Sequence, residues 1–338
     1  MGGDFGPSIV IPGAARFYKN HPDLSLLLFG DEVKITAELK KFPELQSVSR
    51  IIHTDKIIEN DDKPSAVLRK SKGTSMRMAI EAVSKGEAAA VVSAGNTGAL
   101  MALAKLILKS LPGIHRPAIA SLMPTPTGGA SVMLDMGANL LVDAENLVQF
   151  AVLGSIFAKN HSPSTAKPTV GLLNIGSEES KGPDHIKGAA AILNNIDFPG
   201  RYTGYIEGNE ILSGKVDVIV TDGYAGNIAL KTMEGTAKTI ASMLKKTLTS
   251  DPLAIIGTLF AFFAFKRFKK KTDPRLYNGG VFLGLNGLCV KSHGGTDDLG
   301  FASALGLAYQ LAKAGYISQV GEEINNLMHQ ESFIDEAS

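Results

Sequence analysis

Cysteine is almost absent from this chain: Cys289 is the one thiol in 338 residues, and there is no tryptophan. A single thiol excludes a disulfide framework and any multi-cysteine metal site, and it fits a reducing compartment. Aromatic residues make up only 7% of the chain, which argues against a β-sandwich packed on aromatics. Neither charge sign is in excess: 34 Lys and Arg stand against 33 Asp and Glu, for a net charge of +1. A general polyanion binder carries a basic surplus, so nucleic acid is not the expected partner. No apolar run is long enough to cross a bilayer. The greasiest stretch, 252–265, would form a helix of about 21 Å against a hydrocarbon core of roughly 30 Å. The first residues show neither the basic region nor the apolar run of a secretory signal, so the chain reads as cytoplasmic.

Familiar catalytic signatures are missing as well. No Gly-x-Gly-x-x-Gly follows a strand. The stretch 208–215 imitates a P-loop but has one residue too many between its glycines, and a strand follows where a helix should. Gly-x-Ser-x-Gly is absent, which argues against a hydrolase nucleophile elbow. The seven histidines never form His-Glu-x-x-His. Of these, His115, His185 and His293 stand near candidate loops. Cys289 lies in an apolar stretch and reads as a buried, inert thiol.

What is present is glycine, at 36 residues, and a 44% apolar fraction, enough for a sizeable core. The length suggests roughly two lobes. We expect 1–338 to form one continuous unit, divisible into about 1–110 plus 275–338, and 111–274. Short continuous apolar runs at 24–29, 88–93, 130–134, 169–174 and 216–221 read as strands covered on both faces. Helical patterns follow them at 32–41, 99–109, 143–160, 183–194 and 228–246. The alternation predicts an α/β fold with a mostly parallel sheet. Residues 1–7 read as a loop, and 162–167 as a surface linker.

Four of these strands end in a loop of one chemical type: glycine, an Asn or Ser, often an acid, then a helix. In a parallel sheet such ends share one side of the molecule, where ligands gather. A glycine turn opening a helix presents free N–H groups to an anion. Ser93, Asn96, Thr97, Asn139, Asn174, Ser177 and Asn227 supply neutral donors, and Lys181, Lys231 and Arg116 lie close by. The expected site is a pocket for phosphate or a polarised carbonyl oxygen. The stretch 277–295 adds His293 beside a glycine pair. Residues 252–265 carry no charge, and Lys266, Arg267, Lys269, Lys270 and Lys271 follow at once. An apolar segment with a basic hem suits an anionic membrane surface, with Phe260, Phe263, Lys266, Arg267, Lys269 and Lys270 as contacts. A core or dimer helix is the alternative.

The stretches MGGDFGP (1–7), VSAGNTGA (92–99), RPAIA (116–120), LDMGAN (134–139), VGLLNIGSEESKG (170–182), VIVTDGYAGNIALKTMEG (218–235) and YNGGVFLGLNGLCVKSHG (277–294) run in one order over nearly the whole chain. Together they resemble the phosphate acyltransferases of bacterial phospholipid synthesis, the PlsX family. In that family a short strand precedes Met-Gly-Gly-Asp; here Met1 stands at that motif. The resemblance implies a three-layer α/β/α fold with a mostly parallel or mixed sheet, like isocitrate and isopropylmalate dehydrogenases and phosphotransacetylases. It implies a reversible reaction in which acyl-[acyl-carrier protein] and inorganic phosphate give acyl phosphate and free carrier. It also implies a homodimer, handover of product to a membrane glycerol-3-phosphate acyltransferase, peripheral contact with the inner face of the membrane, and no metal or other cofactor.

Since phosphate is itself the nucleophile, no Ser–His or Cys–His pair is required. On this reading Lys181 carries the phosphate charge. Asn227, with the Gly223 to Gly226 backbone, polarises the thioester oxygen, and Asp222 orients its loop. Ser93, Asn96, Thr97, Arg116, Asn139, Asn174, Ser177, Lys231 and His293 line the pocket. Three other readings compete: a phosphotransacetylase-like enzyme using acyl-coenzyme A, a nicotinamide-dependent decarboxylating dehydrogenase, and a non-catalytic membrane-associated scaffold for lipid synthesis.

Overall fold

The computed structural model describes residues 1–162 and 166–336, without the side chains of 269–271 and 329–336. The expected linker at 162–167 therefore lies partly outside the described residues. The chain opens with α1 (Pro7–Tyr18), then β1 (Leu26–Gly30), α2 (Glu32–Leu39), α3 (Pro43–Gln46), β2 (Ser49–His53), α4 (Pro64–Lys70), α5 (Ser75–Ser84), β3 (Ala90–Ser93) and α6 (Thr97–Ile107). The middle holds β4 (Ala118–Pro124), β5 (Ala130–Leu134), α7 (Ala144–His161), β6 (Thr169–Leu173), α8 (Asp184–Asn195), β7 (Arg201–Ile206), β8 (Val218–Val220) and α9 (Gly223–Leu248). The chain closes with α10 (Pro252–Phe260), α11 (Phe262–Lys271), β9 (Gly280–Leu283), β10 (Leu288–Lys291), α12 (Asp298–Lys313) and α13 (Tyr316–Glu336).

Most strand-to-helix turns share one local device. Asp31, Asn96, Asp143, Asp222 and Asp297 each accept a hydrogen bond from a backbone N–H in the first turn of the helix they open. Such caps satisfy donors that a helix start leaves orphaned, at about 1 kcal/mol each.

The main sheet has eight strands in the order β3-β10-β9-β4-β5-β8-β6-β7. Its strands alternate between two apolar faces. Val132, Leu134, Val218, Val220, Val281, Leu283, Leu288 and Val290 pack with α7, α8, α12 and α13. Met133 and Ile219 face the start of α9, while Phe282 and Cys289 face α5 and α6. A sheet greasy on both sides and covered by helices on both is the three-layer arrangement that continuous apolar strands require. Cys289 is fully buried, and burial pushes its thiol up, away from thiolate chemistry.

Strand polarity corrects one expectation. β5, β8, β6 and β7 run parallel, and so do β3 and β10. Three successive antiparallel pairings, β10 with β9, β9 with β4 and β4 with β5, separate the two sets. An odd number of reversals makes β3 and β10 run counter to β5, β8 and β6. The loops after β3 and β5 therefore do not leave from one side of the sheet.

β1 and β2 form a separate two-stranded parallel sheet. A cavity of about 460 Å³ lies between β1 and β3, lined by Leu26, Leu28, Ala79, Val91, Phe301 and Ala308 among others. The Met1 ammonium donates to the Phe29 carbonyl at 2.9 Å, and burial pulls its pKa down to about 6.

The greasy stretch is not one helix. It breaks at Ala261 into α10 and α11, neither with a buried residue among those described. Leu253, Phe260 and Phe263 are 80%, 86% and 71% exposed. Among the described residues no helix is long and apolar enough to cross a membrane.

Candidate active site

The centre of the site is a carboxylate that motif reading passed over. Asp135 follows β5 and is fully buried. One of its oxygens accepts from the N–H groups of Ile119 (3.0 Å), Gly137 (3.1 Å) and Ala138 (2.9 Å). The other accepts from the Asn139 N–H and the Asn139 side-chain amide, both at 2.8 Å. Burial pushes the Asp135 carboxyl above the usual range, against the opposing pull of these donors. Asn139 also donates to the Pro117 carbonyl at 2.8 Å and accepts from the Gly223 N–H at 2.8 Å. The loop after β5 is thus tied to the start of β4 and to the first turn of α9.

That junction has no room for side chains. A Cβ on Gly226 would stand 1.9 Å from the Asp135 carbonyl oxygen, and one on Gly223 would stand 2.5 Å from the Asn139 carbonyl oxygen. Glycine here lets the helix start touch the loop backbone directly. Asp222 caps the helix through Ala225 N–H at 2.7 Å, and its second oxygen lies 3.8 Å from His185 Nε2. One turn into α9, Asn227 is exposed and lies against Gly137.

The third loop follows β6. Asn174 is buried; its amide donates to the Lys181 carbonyl at 3.1 Å, and its own oxygen has no donor among the described residues. Gly182 packs directly on it at a φ of 85°. Lys181 is exposed, as are Ser177 and Arg116, the residue before Pro117. Among the described residues, the side chains of Lys181, Arg116 and Asn227 engage no ion pair or hydrogen bond.

The predicted residues therefore fall into two groups. Asn139, Asn174, Ser177, Lys181, Asp222, Gly223, Gly226 and Asn227 gather at the ends of β5, β6 and β8, with Arg116 beside them. Ser93, Asn96, Thr97 and His293 belong to a second group at the ends of β3 and β10, which the antiparallel pairings set apart. Among the described residues no hydrogen bond or ion pair joins the groups. Asn96 is fully engaged there: its oxygen caps α6, and its amide donates to the carbonyls of Glu59, Asn60 and Asp62. The Ser93 hydroxyl accepts from Gly95 N–H, and the exposed His293 ring accepts from Gly295 N–H. Lys231 forms an exposed ion pair with Glu234 at 3.0 Å.

The second group holds another residue that the sequence did not advertise. Lys291 sits at the end of β10, and its ammonium donates to the carbonyls of Ala94 and Ser292. Burial draws its pKa down to about 8, and the Asp4 charge opposes this. The Asp4 N–H in turn donates to the Gly294 carbonyl at 3.1 Å, and Asn278 ties the same loop through Ser292 and the His293 N–H. Among the described residues no three His, Cys, Asp or Glu side chains gather as a metal-ligating group.

The architecture is a three-layer α/β/α fold in which glycine-opened helix starts gather at the strand ends. A phosphotransacetylase from Streptococcus pyogenes superposes with a TM-score of 0.59 at 19% identity, covering 90% of this chain and 91% of that one. The EutD phosphotransacetylase from Staphylococcus aureus gives 0.56 at 17%, covering 90% of each. At such identities the likeness is one of fold. In sequence, the chain matches the family described as "Fatty acid synthesis protein" over residues 1–319. It is 53% identical over 327 residues to the "Phosphate acyltransferase" of Rhodospirillum centenum, covering 97% of this chain and 92% of that protein. It is 52% identical over 328 residues to that of Parvibaculum lavamentivorans, covering 97% and 90%. The chain belongs to the phosphate acyltransferase, or PlsX, family and is an acyltransferase of lipid synthesis.

Proposed function

We propose that this enzyme makes acyl phosphate from inorganic phosphate and a fatty acyl thioester of acyl-carrier protein, reversibly. The observation that carries the reading is the trio of uncommitted donors, Lys181, Arg116 and Asn227, around the glycine-opened start of α9. Phosphate attacks the thioester carbon, so the protein needs no nucleophile of its own. It must hold an anion beside an acyl carbon and stabilise the oxyanion that develops. Lys181 and Arg116 hold the phosphate charge. Asn227 and the N–H groups of the first turn of α9 face the thioester oxygen. Asp135 and Asn139 keep that turn in place without touching substrate.

The partners follow the same reading: acyl-carrier protein as donor, a homodimer as the working form, and delivery to a membrane glycerol-3-phosphate acyltransferase. The exposed apolar surfaces of α10 and α11, with Lys266 and Arg267, support peripheral docking on the inner face of an anionic membrane. The side chains of Lys269 and Lys270, also assigned to that contact, lie outside the described residues. The phosphotransacetylase fold keeps acyl-coenzyme A as the alternative donor.

The test is phosphate-dependent release of free carrier from a long-chain acyl-carrier protein, compared with release from the coenzyme A thioester. Lys181→Ala and Asn227→Ala should each slow release by about 10² to 10³, the usual cost of one transition-state donor. Near wild-type turnover in either variant removes that residue from the mechanism.

A further inference from the structure

The reaction proposed above leaves a proton to be moved. Hydrogen phosphate forms a new O–C bond to the acyl carbon, the C–S bond breaks, and the carrier's sulfur leaves with the electron pair. For HPO4 2− and a thioester, the products are the acyl phosphate dianion and a neutral thiol. The phosphate's proton thus ends on sulfur. An ordinary thiol has a pKa of about 8.5, so at neutral pH the departing thiolate takes up a proton.

Resting on that reading, we propose that His185 is the proton carrier of this site and that Asp222 holds it in place. His185 lies in the first turn of α8, just after the Lys181 loop. Its Nε2 is buried with no hydrogen-bond partner among the described residues, and a carboxylate oxygen of Asp222 lies 3.8 Å away. The other Asp222 oxygen is fixed by the Ala225 N–H at 2.7 Å, so the carboxylate cannot turn away without uncapping α9. The imidazole is still 31% exposed, which leaves Nδ1 able to meet a ligand. A carboxylate behind one imidazole nitrogen orients the ring and stabilises its protonated form. In ligand-free sites such contacts are commonly long and tighten when substrate binds.

The other two candidate imidazoles are set differently. His115, next to Arg116, is exposed and lies 3.9 Å from the exposed Glu145, and His293 belongs to the second loop group. In the step itself, imidazolium Nδ1–H protonates the departing sulfur. The neutral ring then takes the proton of the newly attached hydrogen phosphate, which restores the imidazolium. The charged group set against the ring is Asp222 from α9; Glu178, Glu179 and Lys181 lie on the loop before α8, and Asp143 and Glu145 at the start of α7, the helix that packs on α8. Asp184 and Lys187 of its own helix pair with each other at 3.2 Å.

The experiment compares wild type with His185→Gln and His185→Ala on two donors: an alkyl thioester of the carrier arm and an aryl thioester whose thiolate leaves without a proton. On the alkyl donor we expect kcat to fall by about 10² or more, with KM for phosphate nearly unchanged. On the aryl donor the loss should shrink to within about tenfold, and added imidazole should restore the alanine variant. Asp222→Asn, which still caps the helix, should lower kcat on the alkyl donor and much less on the aryl donor, a difference that a purely structural role would not produce. Wild-type kcat in His185→Gln overturns the proposal. So does an equal loss on both donors without imidazole rescue, because that marks a structural role. If the glutamine variant melts early, His185→Asn takes its place in the two-donor comparison, and the same two results overturn the proposal. Wild-type enzyme that releases no thiol in response to phosphate overturns the functional reading itself, and the proton carrier with it; that failure appears before any variant is made.

Discussion

Asp135→Asn isolates the feature that shapes the site without touching substrate. The substitution keeps the volume of the side chain and replaces one acceptor oxygen by an NH2 group. If the remaining oxygen serves Ile119, Gly137 and Ala138, the new amide faces the N–H and side-chain amide of Asn139, donor against donor. Two hydrogen bonds to a charged group are lost, at about 1.5–3 kcal/mol each. The expected loss is therefore about 3–6 kcal/mol, a large part of the 5–15 kcal/mol that holds a typical domain. Urea unfolding at neutral pH reads this directly. The dependence on pH is a second readout. Because the folded carboxyl titrates above the unfolded one, at about 3.9, the stability it contributes is fully present below pH of about 4. That stability is lost as pH rises through the folded value. The asparagine variant should lack this slope. A loss below about 1 kcal/mol, with the slope unchanged, would refute the view that Asp135 organises the junction.

Three further outcomes follow from the same geometry. Gly226→Ala puts a Cβ 1.9 Å from the Asp135 carbonyl oxygen, so helix and loop must part; we expect about 1–3 kcal/mol of destabilisation and a roughly 10²-fold drop in turnover, read by melting and by thiol release. Lys291 titrates at about 8 in the folded protein and at about 10.4 unfolded, so the unfolded chain binds more protons between these values and stability rises with pH across that window. Lys291→Met should remove the rise in denaturation curves taken from pH 7 to 10. Phe260→Ser with Phe263→Ser should weaken sedimentation with anionic vesicles by about tenfold or more, at roughly 1.5–3 kcal/mol for each buried ring; unchanged binding would reassign α10 and α11 to a protein contact.

The sheet was legible in the sequence because its buried strands are short continuous apolar runs bounded by glycine and capping residues. The strands at 130–134 and 169–173 fall almost where those runs predict. β7 shows no apolar run because only Ile206 of its residues, Arg201 to Ile206, is buried, the others lying half-buried or exposed at a sheet edge. β4 shows no clear strand signal because prolines bound it, with Pro117 just before its first residue and Pro124 as its last. Missing the central antiparallel strands also hid the reversal of polarity, since only their pairing shows that β3 and β5 run in opposite senses. In the site, glycine loops with Asn and Lys were visible as motifs. What each side chain does was not. Asn96 and Lys181 look equally available in the sequence, yet the Asn96 amide is engaged by three carbonyls while the Lys181 ammonium is free of partners among the described residues. Asp135 and Lys291 lie inside the stretches 134–139 and 277–294, but nothing in those stretches singles them out; burial is what gives them significance, and burial is a property of the fold.

The most direct test of the central claim is the rate of free-carrier release from a long-chain acyl-carrier protein as phosphate is titrated, in wild type and Lys181→Ala. The account predicts saturable dependence on phosphate, acyl phosphate as product, and a loss of about 10² or more in the variant. Release that ignores phosphate, or a variant as fast as wild type, would contradict it.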